Sequence, residues 1–460
     1  MTDQDHPDIK KCTELINTCQ DIFDTKNDTV ILKTFIQLRK YSSFRCMEVN
    51  IKLCNIIFSS DIFLNILGFL KSSNTDIIFE VLWLITNIIS IIPQDVNIIV
   101  YRDKYEDIVI DLMNHSSPKI REQSIWLMGN LIGDDYFNNI AHKKRIMNIP
   151  HFMDYLITNI TYPANNSLLY NSVWTLSNIY RNSKYAFEKI KYLFPIITKL
   201  LDHSNTQVLF QTGWMLSYLL DNAPDIYFEY LMSTSIPVKC VGILNKHINK
   251  HKIISPYIRV IGNFFASDYN KHMDYFLKTH ILNTLSTILK NSFNSMLQKE
   301  LLWILSNLSC GRKTQLKVFC SHDIFDLFID TTINVVSDNI FCEGVWVMVN
   351  LLNSIKLEKY LSYTLIQHDY LHNHLTINKI AIILSKYMKS YNKNPILYDA
   401  VLSEVLTLIY DLTKYSNIFY TELNDHNIYI DILQFQNKDN TRVNAILQEC
   451  IKIEMNVNNN

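Results

Sequence analysis

One short pattern, Trp-x-x-x-Asn inside an apolar helical run, returns along this chain at intervals that few folds tolerate. It is written in EVLWLITNIIS (80–90), QSIWLMGNLIG (123–133), NSVWTLSNIYR (171–181), KELLWILSNLSCG (299–311) and EGVWVMVNLLN (343–353). All six tryptophans stand at comparable places, Trp83, Trp126, Trp174, Trp214, Trp303 and Trp346, with successive spacings of 43, 48, 40, 89 and 43. The interval of 89 is two periods, and a degenerate copy fills it. In SPYIRVIGNFFASD (255–268), Arg259 takes the tryptophan position and Asn263 the asparagine position. The copy around Trp214 keeps the indole and puts Tyr218 in place of the amide.

Residues four apart lie one turn from each other on the same helical face. A helical unit of about 43 residues cannot bury its apolar faces alone and must stack on its neighbours. The chain's 460 residues exceed what one core usually holds, and 8 Gly with 10 Pro are too few for the turns of a many-stranded sheet. The spacing therefore predicts an all-α solenoid of at most about ten units. Weaker copies are expected at ILKTFIQLRKYSS (31–43) before the ladder, and at INKIAIILSKYMKS (377–390) and VLSEVLTLIYDL (401–412) after it. The division expected is an acidic segment over 1–26, a solenoid over 27–456, and a disordered tail over 457–460.

Other chemistry finds little support. A net charge of −1 gives no bulk attraction to nucleic acid, and HKKR (142–145) is one short run. Nine cysteines without a CxxC pair read as reduced thiols, and the sequons of this Asn-rich chain as unglycosylated. The N-terminus has no secretory signal, and VLWLITNIISII (81–92) is too short for the roughly 20 residues of a membrane span. A soluble intracellular protein, without membrane insertion, is expected. No phosphate-binding glycine motif and no GxSxG occurs. His247 and His251 have the i, i+4 spacing of a zinc pair but sit among lysines, and Asp134 and Asp135 diverge on a helix end. No cofactor, metal or catalytic residue is expected.

Core packing seldom requires the same polar group at the same position of every repeat, so a shared face of Trp and Asn indicates a binding surface. Stacked helices lie about 8–10 Å apart and an extended peptide advances about 3.3 Å per residue. One carboxamide would thus meet the ligand backbone every two to three residues, with a donor and an acceptor that read no side chain. Indole-walled slots suit the stems of Lys and Arg, and the acids Asp134, Asp135, Glu300 and Glu343 suit their charges. A basic, extended peptide is the ligand indicated. Arg259 would repel such a ligand and splits the ladder into two rows, about 30 Å or roughly ten linker residues apart.

The order of the ladder resembles that of the importin-α family, armadillo-repeat adaptors for cargo with basic nuclear localisation signals, over roughly residues 27–400. That family has three Trp–Asn pairs, a Trp–Tyr, an Arg–Asn and two further Trp–Asn pairs. The resemblance implies a right-handed superhelical solenoid with no enzymatic activity. Its main row would comprise Trp83, Asn87, Gln123, Trp126, Asn130, Asp134, Asn171, Trp174, Asn178 and Arg181, with Asp134 gripping the key lysine. The second row would comprise Trp214, Tyr218, Arg259, Asn263, Asp268, Glu300, Trp303, Asn307, Glu343, Trp346 and Asn350. Cargo, an importin-β-like carrier and an export receptor are the implied partners.

The chain departs from the family in SIIPQDV, Ser90 to Val96, at Gln211, and in the loop before Asp268, which is only an approximate counterpart. The family also opens with a strongly basic arm that binds importin-β. Residues 1–26 here hold Asp3, Asp5, Asp8, Glu14, Asp21 and Asp24 against Lys10, Lys11 and Lys26. Three alternatives stand: a different carrier contact, an arm outside this sequence, or an unarmed variant with an open groove. A scaffold or signalling armadillo protein binding other extended peptides is the rival, and the Trp–Asn ladder beside an acid gives the groove the wrong sign for acidic ones.

Overall fold

The computed structural model describes residues 6–92, 105–133, 140–267, 270–292, 294–357, 374–391, 393–415 and 417–432, with a few isolated positions beyond. Among them are 27 helices and no strand. The fold is an all-α solenoid of armadillo repeats, each a short helix, a second helix and a long third helix that carries the ladder. Asn270–Lys278, Ile281–Asn291 and Ser295–Leu308 form one such unit, and Lys313–Cys320, Ile324–Asn334 and Asp338–Leu357 the next.

Asparagine does much of the local work. Nine residues before their tryptophans, Asn74, Asn165, Asn205 and Asn294 cap the ladder helices, their side-chain oxygens accepting from backbone N–H groups of the first turn. Ser117 and Ser337 hold the same register ahead of Trp126 and Trp346. Left-handed corners, which usually fall to glycine, are made at His151, Asn182, Asn222 and His280. A chain with few glycines can turn sharply in this way.

The chain divides into two compact units, Met1–Leu219 and Leu220–Asn460. In the first unit the ladder helices Asp28–Tyr41, Thr75–Ile91, Pro118–Gly133 and Asn166–Tyr180 pack in succession. In the second, His251–Ala266, Ser295–Leu308, Asp338–Leu357 and Pro395–Tyr415 do the same.

The acidic segment over residues 1–26 contains a helix, Pro7–Asp24, packed on Asp28–Tyr41 and Met47–Phe58. Its buried Cys12, Ile16, Cys19 and Phe23 recur at helical spacing, which gives it an apolar stripe to dock. The two weak copies at 377–390 and 401–412 are not successive ladder helices. His374–Tyr391 packs on the second-layer helix Ile324–Asn334, whereas Pro395–Tyr415 packs on the ladder helix Asp338–Leu357. Both are apolar enough to mimic a ladder helix in sequence, and only their partners tell the layers apart.

Candidate functional site

The ladder helices are buried almost all round, and a single stripe stays open. On Thr75–Ile91 the partly exposed positions of the middle turns are Phe79, Trp83 and Asn87, with Ser90 exposed at the end. Glu122, Trp126, Asn130 and Gly133 make the equivalent stripe on Pro118–Gly133. All six tryptophans are half-buried, one ring edge or face within reach of solvent. Phe79, Trp83, Glu122, Gln123, Trp126, Tyr170 and Asn171 are among the walls of a groove of about 560 Å³ in the first unit. A smaller hollow of about 240 Å³ lies between Ser90, Asn130, Trp174, Asn178 and Arg181.

The indoles of Trp174 and Trp303 are seated on the preceding repeat. A Cβ at Gly129 would stand 2.4 Å from Cζ3 of Trp174, and one at Gly262 would stand 2.2 Å from Cζ3 of Trp303. These glycines lie three residues after the tryptophan position of their own repeat, where the other copies have Ser42, Thr86, Ser177, Ser217, Ser306 and Val349. At Gly129 and Gly262 the missing side chain leaves room for the next indole to approach closely. This series was not anticipated from the sequence, though its register is as regular as that of the tryptophans.

The same position anchors the amides. Nδ2 of Asn178 donates to the Gly129 carbonyl at 3.1 Å, that of Asn307 to the Gly262 carbonyl at 3.5 Å, and that of Asn350 to the Ser306 carbonyl at 3.2 Å. Asn87 donates to the Ser42 hydroxyl at 3.1 Å. One donor of each carboxamide is thereby spent on the seam between repeats, and a second N–H and the oxygen are left over in each group. The rungs are not equally open. Asn87, Asn130, Asn307 and Asn350 are half-buried, but Asn178 and Asn263 are only 5% and 4% exposed.

The polar residues three before each tryptophan also tie repeats together. Gln123 is buried and donates to Thr86 Oγ1 at 3.0 Å, while buried Gln211 donates to the Tyr170 hydroxyl at 3.2 Å. Asn171 donates to Glu122 at 3.3 Å, and Lys299 lies 3.8 Å from Glu343. Arg181 donates through Nη2 to the Gly133 carbonyl at 2.5 Å, and its own carbonyl receives the buried Lys143 ammonium at 2.6 Å. Trp214 and Tyr218 stack on each other, centroids 5.6 Å apart, so the tyrosine that replaces a rung covers its own indole.

Two arginines stand beside ladder tryptophans. Arg39 lies with its guanidinium 4.0 Å from the centre of the Trp83 ring and donates from Nε to Glu80 at 2.5 Å. Arg259 lies 6.0 Å from the Trp303 ring and 3.7 Å from Glu300. Burial pushes the Glu300 carboxyl above the ordinary range, with Arg259 and Lys299 pulling the other way, and burial does the same to Glu343. Asp134 and Asp268, the acids expected at the two rows, lie outside the described residues.

His247 ends one helix, as the cap of Ile236–Lys246, and His251 begins another, so the pair does not share a helical face. No group of three or more His, Cys, Asp or Glu placed to hold a metal occurs among the described residues. No single described helix is long and apolar enough to cross a membrane.

No family model matches the chain. It is 28% identical over 227 residues to importin subunit alpha-1b of Oryza sativa subsp. japonica, covering 49% of this chain and 40% of that one. It is 30% identical over 191 residues to importin subunit alpha-6 of Arabidopsis thaliana, covering 40% and 34%. The matched segment is thus about two fifths or less of these relatives' length. Among solved structures, an engineered protein of the Northeast Structural Genomics Consortium superposes over 97% of this chain and 98% of its own, with a TM-score of 0.71 and 11% identity. The chain has an all-α repeat-solenoid fold and is similar to importin-α proteins over about half its length.

Proposed function

We propose that this chain is a nuclear import adaptor that binds extended, basic localisation signals of cargo proteins along its Trp–Asn ladder. One observation carries the reading. Past the exposed first turns of the ladder helices, the stripe left open is mainly the one that holds the indoles and most of the rung amides, in the same register from repeat to repeat. A flat indole wall accepts the aliphatic stem of Lys or Arg and attracts its charge, and a carboxamide with a free donor and acceptor holds the passing backbone. Glu122 in the first unit and Glu343 in the second supply negative charge beside the indoles. The relatives named importin subunit alpha support the same reading, which places the protein in both cytoplasm and nucleus with an importin-β-like carrier and an export receptor as partners.

The test is titration calorimetry with a lysine-rich peptide. Trp126→Ala combined with Asn130→Ala should weaken binding by more than about 1.5 kcal/mol, from the lost cation–π contact and amide bonds. Wild-type affinity in that variant would rule the groove out. A pull-down from cell extract that lacks an importin-β-like protein would remove the carrier from the proposal.

A further inference from the structure

Building on the ladder reading, we infer that Arg39 is a resident cation. Its guanidinium occupies the place over Trp83 that a ligand's lysine or arginine would take, so recognition of basic residues in the first unit starts at the slot between Trp83 and Trp126.

Three observations carry this. Arg39 stands at the tryptophan position of the repeat ahead of the ladder, 44 residues before Trp83. Its guanidinium is 4.0 Å from the indole centre, and the carboxylate beside that indole, Glu80, already receives its Nε–H at 2.5 Å. Both the π face and the acid that would hold an incoming cation are therefore engaged from within. Glu80 is 9% exposed, so the pair is built into the seam and is not a loose surface contact. The second unit has a looser counterpart, 6.0 Å from its indole and 3.7 Å from its acid. Arg259 is 44 residues before Trp303, and Glu300, like Glu80, is three residues before its tryptophan. A cation arriving at either place would gain little from the indole and would meet like charge. The device limits how many consecutive basic residues a ligand can use.

The experiment compares three fluorescent peptides by anisotropy at physiological salt, which screens distant charge. One carries four consecutive lysines, and two carry a fifth lysine added two positions beyond one end or the other. Wild-type protein should bind all three within about twofold. Arg39→Gln should prefer one of the five-lysine peptides by about three- to tenfold, the range of one cation–π contact. Lys40→Gln, which removes the same charge from an exposed neighbour, should show no such preference. If Arg39→Gln unfolds the first unit, Arg259→Gln offers the same test in the second, where that side chain is 44% exposed. Equal binding of all peptides by a folded Arg→Gln variant overturns the inference, as does a wild-type protein that already gains from a fifth lysine. Binding of the four-lysine peptide that survives Trp126→Ala with Asn130→Ala overturns the ladder reading instead, and this inference with it.

Discussion

Gly129 offers a test in which two ordinary effects oppose each other and the structure decides the sign. In a helix interior, replacing Gly by Ala normally stabilises by about 0.5–1 kcal/mol, because the unfolded chain loses freedom. At Gly129 the new methyl would lie 2.4 Å from Trp174 Cζ3 and 2.6 Å from Thr175 Oγ1. Ordinary carbon contact is about 3.5–4.0 Å, so the indole must retreat by more than about 1 Å. Overpacking of this kind costs about 1–3 kcal/mol, which exceeds the propensity gain. Gly129→Ala should therefore lower the melting temperature and shift the tryptophan emission, while Gly242→Ala, in a helix with nothing within 4 Å of the new methyl, should raise it. Differential scanning calorimetry of the two variants gives the comparison directly. Stabilisation of both proteins alike would mean that Trp174 is not seated on Gly129 and that the stacking argument is wrong.

Asn178→Ala should cost more stability than binding, about 1–3 kcal/mol by denaturant melt, because the amide is buried and bonded to Gly129, whereas Asn130→Ala should show the reverse. Lys143→Met should destabilise by about 2 kcal/mol or more, since the buried ammonium satisfies the carbonyls of Asn178 and Arg181 at the end of the Trp174 helix; an unchanged melt would contradict that role. The carboxyls of Glu300 and Glu343 are raised from 4.5 by burial, so each favours the folded state below that value, and the contribution is lost as pH rises through the raised value. A bound cation favours the ionised form, so affinity of the second unit for a lysine peptide should fall as pH drops from 7 toward 4.5. Titrations in which Glu343→Gln follows the same pH profile as wild type would refute this.

Much of the fold was legible in the sequence because stacked repeats impose a register. The tryptophans near every 43 residues, the caps nine residues earlier and the small residues three later all answer to local geometry that each unit must repeat. The layer of a helix was less legible. His374–Tyr391 and Pro395–Tyr415 are both apolar, and periodicity cannot say whether a buried helix faces the groove or backs it. In the N-terminal segment exposed acids dominate the composition, while four buried side chains decide where its helix packs.

Within the site, sequence alone determined which side chains share a face, because residues four apart on a helix must do so. It also determined that no single repeat could stand by itself. Which rungs remain open was settled only by contacts between residues some 44 positions apart. Asn178 and Asn130 are equivalent in sequence, yet one is closed by its neighbours and the other half-open. Arg39 looks like a surface charge at a helix end until the next repeat brings Glu80 and the Trp83 ring against it. Exposure and pairing are properties of the seam between repeats, and the seam exists only once the chain has stacked.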